Sequence, residues 1–195
     1  MIYITYKIYI NIYIMALVKF INNITNILQN ISKCKILEVG CGNGSMALLL
    51  APYCIKYDAI DMNPKSITNA KNNTPTIYNN LHFYNYTLKN NKLDDKYDVI
   101  ISCRSFHYGN YEKKLQTMKK LLNTNGIIII IDIIITETTK WQDDKLNKTS
   151  PIFNQNLYDK KKQEIDISRK FLLKQKNMKH FIKDGYDYFI YKFIQ

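Results

Sequence analysis

A glycine cluster flanked by two acids is the first arrangement in this sequence that can do chemistry. The segment 36–44 reads ILEVGCGNG, with Glu38 ahead of Gly40, Gly42 and Gly44, and with Cys41 and Asn43 between the glycines. An apolar run that stops at glycines is a strand delivering its backbone to a sharp turn, where Gly40 and Gly42 let the chain approach a ligand closely. The next apolar run ends on a second acid, Asp61. In a nucleotide site a carboxylate at that position accepts hydrogen bonds from both hydroxyls of a ribose.

Two kinds of ligand use such a turn, and the residues separate them. A dinucleotide site has the spacing GxGxxG, because a pyrophosphate must lie against the turn. Here the spacing is GxGxG, Ser45 stands where the third dinucleotide glycine would be, and Glu38 lies two residues before Gly40. A carboxylate beside the ligand repels pyrophosphate and suits a cation. S-adenosylmethionine carries a sulfonium and an amino group and no phosphate, so it is the expected cofactor.

Positioning these residues takes alternating strands and helices. Strands are expected at Lys35–Val39, 55–61, 81–86, Tyr97–Cys103 and 127–135. Helices are expected at 45–51, from Pro64 onward behind an Asn63 N-cap, at 111–123 and at 156–176. The isoleucine run from Ile127, broken only by Asp132, has no alternation, as in a parallel strand buried on both faces. Asn125-Gly126 is expected to close the helix before it in a left-handed turn. Met178–Lys183, the turn dipeptide Asp184-Gly185 and residues 186–193 read as a β-hairpin. The expected fold class is therefore α/β, a seven-stranded, mostly parallel Rossmann-like sheet with helices on both faces and one antiparallel strand from the hairpin.

Composition narrows the rest. The 195 residues fit one domain, and neither an internal repeat nor a linker divides them. A formal charge of +12 suggests nucleic acid, yet of 28 lysines and arginines only Arg104 and Arg169 are arginine. Phosphate and guanine recognition favour the arginine fork, so the basicity reads mainly as a bias toward lysine. Four cysteines without CxxC spacing and three histidines argue against a zinc site and for reduced thiols in a cytoplasmic compartment. Residues 1–14, MIYITYKIYINIYI, are too short for a membrane span and lack the order of a signal peptide. They are expected to be an appendage to a domain over 15–195, with Met1 or Met15 as the start. A helical apolar stripe follows over 15–31.

In its motifs and their order the sequence resembles the class I S-adenosylmethionine-dependent methyltransferases. ILEVGCGNG resembles the first motif of that family, and AIDMNP (59–64) the second-strand motif with its ribose acid. KYDVIISC (96–103) resembles the fourth-strand motif, and LLNTNGIIIII (121–131) the helix-glycine-strand element. The resemblance implies that Glu38, Gly40, Cys41, Gly42, Asn43, Gly44, Asp61, Met62 and Ser102 line the cofactor. It also implies adenine contact near Thr87 and Leu88, although the third strand ends in Asn85-Tyr86-Thr87-Leu88 where many members have an acid. SCRSFHY (102–108) departs from the motif of enzymes that methylate nucleobase amines.

His107, just past the fourth strand, is the histidine placed to act as a base; packing against the cofactor is the competing role. Arg104 suits an anionic substrate or a surface acid. Trp141, in the loop 136–151, suits a lid or a core gap. A small-molecule acceptor is the leading expectation. RNA or protein acceptors docking on Lys160–Lys162, Lys170, Lys174, Lys176 and Lys179 come second. A non-catalytic cofactor-binding or partner subunit is the third.

Overall fold

The computed structural model describes residues 31–89, 93, 95–133, 146, 148, 151–183 and 186–192. The expected N-terminal appendage, nearly all of the helix over 15–31, Trp141 and the Asp184-Gly185 turn lie outside these residues.

After a short 3-10 turn at Ile31–Lys33, the chain forms β1 (Lys35–Val39), α1 (Ser45–Leu50), β2 (Lys56–Ile60), α2 (Pro64–Asn72) and β3 (Leu81–Tyr84). It continues through β4 (Tyr97–Cys103), α3 (Tyr111–Leu121), β5 (Leu122–Ile133), α4 (Gln155–Leu173), β6 (Met178–Lys183) and β7 (Tyr186–Lys192). One seven-stranded sheet results, in the order β3-β2-β1-β4-β5-β7-β6. β1 to β5 pair in parallel, and β7 runs antiparallel between β5 and β6. This is the Rossmann-like class expected from the sequence.

Alternate residues of the central strands feed two cores, which is why those strands read as unbroken apolar runs. Ile36, Ala59, Ile101 and Ile129 point to one face, with Met46, Ala47 and Leu50 of α1 and Ile67 of α2 packed on them. Leu37, Ile60, Ile100 and Ile128 point to the other, under Leu115 and Met118 of α3 and Leu172 of α4. Local signals set the helix starts. The Asn63 side chain accepts from the Lys65 amide ahead of Pro64, and Asn110 caps α3 through the Lys113 amide.

Several boundaries differ from the sequence reading by a few residues, and two of them have a clear cause. β3 stops at Tyr84 because its neighbour β2 has ended; the Asp61 amide makes the closing bond to the Tyr84 carbonyl at 3.2 Å. α3 ends at Leu121, and Leu122 is already extended and paired with Tyr97. Asn125 takes the left-handed conformation (φ 65°) inside an irregular stretch of β5 rather than at a helix end. Gly126 is there for space: a Cβ on it would lie 2.8 Å from Leu122 Cγ.

Candidate active site

A cavity of about 450 Å³ opens where β1, β2 and β4 end, at the carboxyl edge that serves ligands in open α/β sheets. Its size suits a small molecule. Val39, Gly40, Ile60 and Asp61 form one wall, continued by Met62, Asn63 and Ser66; Tyr86, Thr87 and Leu88 form a second. Arg104, Ser105 and Tyr108 from the β4–α3 loop, with Lys114 of α3, form the third.

Asp61 is held before any ligand arrives. Its Oδ2 accepts the Gly42 amide at 2.9 Å, its Oδ1 accepts the Asn63 amide at 2.8 Å, and its carbonyl accepts the Asn85 side chain at 2.9 Å. A carboxylate offers about four lone-pair directions. Two are used by amides, and the remainder suit a vicinal diol. Gly42 can give its amide because it turns through φ 54° with nothing near the place of a Cβ.

Gly40 answers to a different constraint. A Cβ there would sit 2.4 Å from the Ser105 side chain. Ser105 Oγ donates to the Val39 carbonyl at 2.6 Å and lies 2.8 Å from Ser102 Oγ. The missing side chain thus lets the β4–α3 loop clasp the glycine loop. Gly44 serves the core in the same way, beside the Phe83 ring.

Of the residues expected at the cofactor, Gly40, Asp61, Met62, Thr87 and Leu88 line the cavity. Cys41, Gly42, Asn43 and Gly44 form the turn beside it. Glu38 and Ser102 are buried behind its wall. Glu38 accepts the Tyr57 hydroxyl at 3.0 Å. Burial pushes its carboxyl up to about 8, Tyr57 pulls the other way, and the nearby Asp61 adds to the rise.

His107 is buried rather than part of the cavity lining. Its Nδ1 lies 2.8 Å from Asp132 Oδ2, its ring packs 4.3 Å from that of Tyr108, and its Nε2 has no hydrogen-bond partner. A carboxylate only accepts, so Nδ1 carries the proton and the basic lone pair is on Nε2.

The sequence reading did not single out Asn85, Ser105, Tyr108, Lys114 or Asp132 as site residues. A signal for Lys114 existed. It falls three residues after Tyr111 and four before Met118, so it shares their apolar stripe, and a cation there must meet a buried partner. Its Nζ donates to the Ser105 and Phe106 carbonyls at 3.0 and 3.4 Å. Burial lowers its pKa to about 8 against the upward pull of Asp132.

Comparison with known proteins agrees with this architecture. The family described as "Methyltransferase domain" matches residues 30–185. The ubiquinone biosynthesis O-methyltransferase of Rickettsia akari (strain Hartford) is 30% identical over 106 residues, 54% of this chain and 42% of that protein. The chain thus matches less than half the length of that relative. An uncharacterized methyltransferase of Staphylococcus carnosus (strain TM300) is 26% identical over 172 residues, 85% of this chain and 76% of the other. Among solved structures, the plantazolicin methyltransferase BpumL in complex with monoazolic desmethylPZN analog and SAH superposes with a TM-score of 0.57 at 16% identity, covering 83% of this chain and 76% of that one.

The site's chemistry fits the cofactor of such enzymes. An S-adenosylmethionine placed there would meet open acceptor directions on Asp61, apolar surface at Met62 and Leu88, and the buried Glu38 behind the glycine turn. The chain belongs to the methyltransferase domain family, with the class I fold and S-adenosylmethionine as its cofactor.

Proposed function

We propose that this domain transfers the methyl group of S-adenosylmethionine to a small-molecule acceptor that enters against the β4–α3 loop. The observation that carries this reading is the cavity itself, with the pre-oriented Asp61 on one side and Arg104, Tyr108 and Lys114 on the other. When bound, the cofactor would supply an electrophilic methyl carbon whose bond to sulfur is the one given up, and an acceptor O–H or N–H would lose its proton to a base or to water. The protein's tasks are alignment and exclusion of water. Asp61 holds the ribose, Glu38 balances the cationic end through the glycine turn of Gly40 to Gly44, and Met62, Thr87 and Leu88 enclose the base.

Ser102 and Ser105 fix the loop on which the acceptor rests. His107, buried outside the cavity lining, acts as a base only if a movement brings its Nε2 to the cavity; as it stands, the His107–Asp132 pair ties that loop to β5. The relative named for ubiquinone biosynthesis supports a small acceptor. A macromolecular landing surface on α4 is less favoured, since Lys161 and Lys162 already pair with Glu164 and Asp166 at 2.9 and 3.3 Å. None of the four cysteines forms a disulfide, which supports a reducing compartment such as the cytoplasm. No helix among the described residues is long and apolar enough to cross a membrane.

Calorimetric titration with S-adenosylhomocysteine tests the cofactor half of the proposal. Asp61→Ala should weaken binding about 10–150-fold, the loss expected of two hydrogen bonds to a carboxylate. Release of S-adenosylhomocysteine on incubation with a metabolite extract tests the transfer. Unaltered affinity in Asp61→Ala, or turnover only with RNA or protein, refutes the reading.

A further inference from the structure

The charges around the cavity are divided. The β2 side contributes one carboxylate, Asp61, and the β4–α3 side contributes two cations, Arg104 and Lys114; these are the charged residues of the lining. β1 and its glycine turn separate the two sets, because β1 pairs with β2 on one side and β4 on the other.

Of the two, Arg104 stands without a countercharge: no ion pair joins it to a carboxylate among the described residues. Lys114 is bonded to two main-chain carbonyls and feels the Asp132 carboxylate, whose hydrogen bond from the His107 ring does not cancel its charge. Lys161, which lies over the Tyr108 ring at 3.8 Å, is paired with Glu164 and adds no free charge.

The backbone of Arg104 is held in a costly shape. Arg104 has φ 54°, a left-handed conformation that disfavours residues with a Cβ. Its amide donates to the Ile131 carbonyl at 2.8 Å, which locks the turn against β5. A strained non-glycine residue at a site edge is a pointer to function when the surroundings fix it.

The cofactor adds to the imbalance. Its sulfonium and ammonium outnumber its one carboxylate, so a net positive ligand enters a cavity whose lining already carries two cations, Arg104 and Lys114, against one carboxylate, Asp61. Like charges in a desolvated site raise the energy of the whole assembly. An anion beside Arg104 and Lys114 removes that cost, and the acceptor is the component still to enter.

We propose that the acceptor is a small organic acid, whose carboxylate is held by Arg104 and Lys114 while Tyr86 and Tyr108 flank its carbon skeleton. This rests on the small-molecule reading above and specifies its substrate class. Arg104 supplies a planar fork matched to a carboxylate, and Lys114 a point charge anchored by the Ser105 and Phe106 carbonyls.

The test uses the full chain saturated with S-adenosylhomocysteine and two matched probes, benzoate and its neutral isostere benzamide, titrated by calorimetry. Benzoate should bind at least about tenfold more tightly than benzamide, the scale of one charge-assisted hydrogen bond. Arg104→Gln and Lys114→Met should each abolish that preference while leaving S-adenosylhomocysteine affinity within about twofold. Equal binding of the two probes, or no detectable binding of either, overturns the proposal. So does competition between benzoate and S-adenosylhomocysteine, or a large loss of S-adenosylhomocysteine affinity in the variants, because the cations would then serve the cofactor's own carboxylate. If S-adenosylhomocysteine itself fails to bind in the first titration, the earlier reading falls before the probes are added.

Discussion

Replacing Glu38 by glutamine keeps the shape of the side chain and an acceptor for the Tyr57 hydroxyl, and removes only the capacity for charge. In the protein alone the Glu38 carboxyl is raised to about 8, first by burial and then by Asp61, so at neutral pH it is mostly protonated. A sulfonium and an ammonium arriving beside it favour the ionised form, and binding must therefore draw a proton off. The ionised fraction is roughly 1% at pH 6, 10% at pH 7 and one half at pH 8. The dissociation constant for S-adenosylmethionine should accordingly fall about tenfold from pH 6 to 7 and about fivefold from 7 to 8, then level. At pH 7 ionising the buried acid costs about 1.4 kcal/mol of binding energy.

Glu38→Gln should lack this dependence. The titration of the ligand's own amino group is common to both proteins and cancels in the ratio of their constants. Calorimetry at pH 7 in two buffers of different ionisation enthalpy should count about 0.9 proton released by the wild type and none by the variant, beyond that common contribution. A ratio that is flat from pH 6 to 8, with equal proton counts, would refute Glu38 as the counter-charge of the cofactor.

Gly44→Ala should destabilise the fold by about 2–5 kcal/mol, from the left-handed backbone and overpacking together, because φ is 79° and the new methyl would lie 2.8 Å from the Phe83 ring. Thermal melting should register this as a drop of roughly 5–15 °C; an unchanged midpoint refutes the packing role. His107→Asn keeps a donor for Asp132 and removes the basic nitrogen. Because Nε2 does not border the cavity, turnover should stay within about tenfold of wild type at unchanged cofactor affinity. A loss of about 10²–10⁴-fold with affinity intact would identify His107 as the base.

Much of this architecture was legible because its signals are local. The glycine spacing, the Asn63-Pro64 helix start and the unbroken isoleucine run each report on a few neighbouring residues, and each led to an element that the fold contains. The ends of β3 and α3 were not legible, since they depend on where a neighbouring strand stops and on a pairing between Leu122 and Tyr97 that no local pattern encodes. The site divides in the same way. Asp61 stands at the end of its own strand and is recognisable there. The reason for Gly40 lies 65 positions away in Ser105, and the protonation of Glu38 is decided by its burial in the folded sheet, against a hydrogen bond from Tyr57 in the neighbouring strand. His107 was picked out by its position after β4, but which way its ring faces depends on Asp132 in β5.

The placement of β7 has a consequence for how the chain is made. β5 carries five consecutive isoleucines, Ile127 to Ile131, and pairs through every one of them with β7, Ile129 opposite Ile190. Between the two in sequence come α4 and β6. During synthesis the stickiest strand of the protein is therefore an open edge until residues 186–192 have emerged, long after the half of the sheet that holds Asp61 has its partners. A nascent chain stalled before Tyr186 presents a row of unpaired amides and carbonyls flanked by isoleucine, a template for pairing with its neighbours on the same message. Translation speed across α4 and β6 then sets how long that edge stays bare.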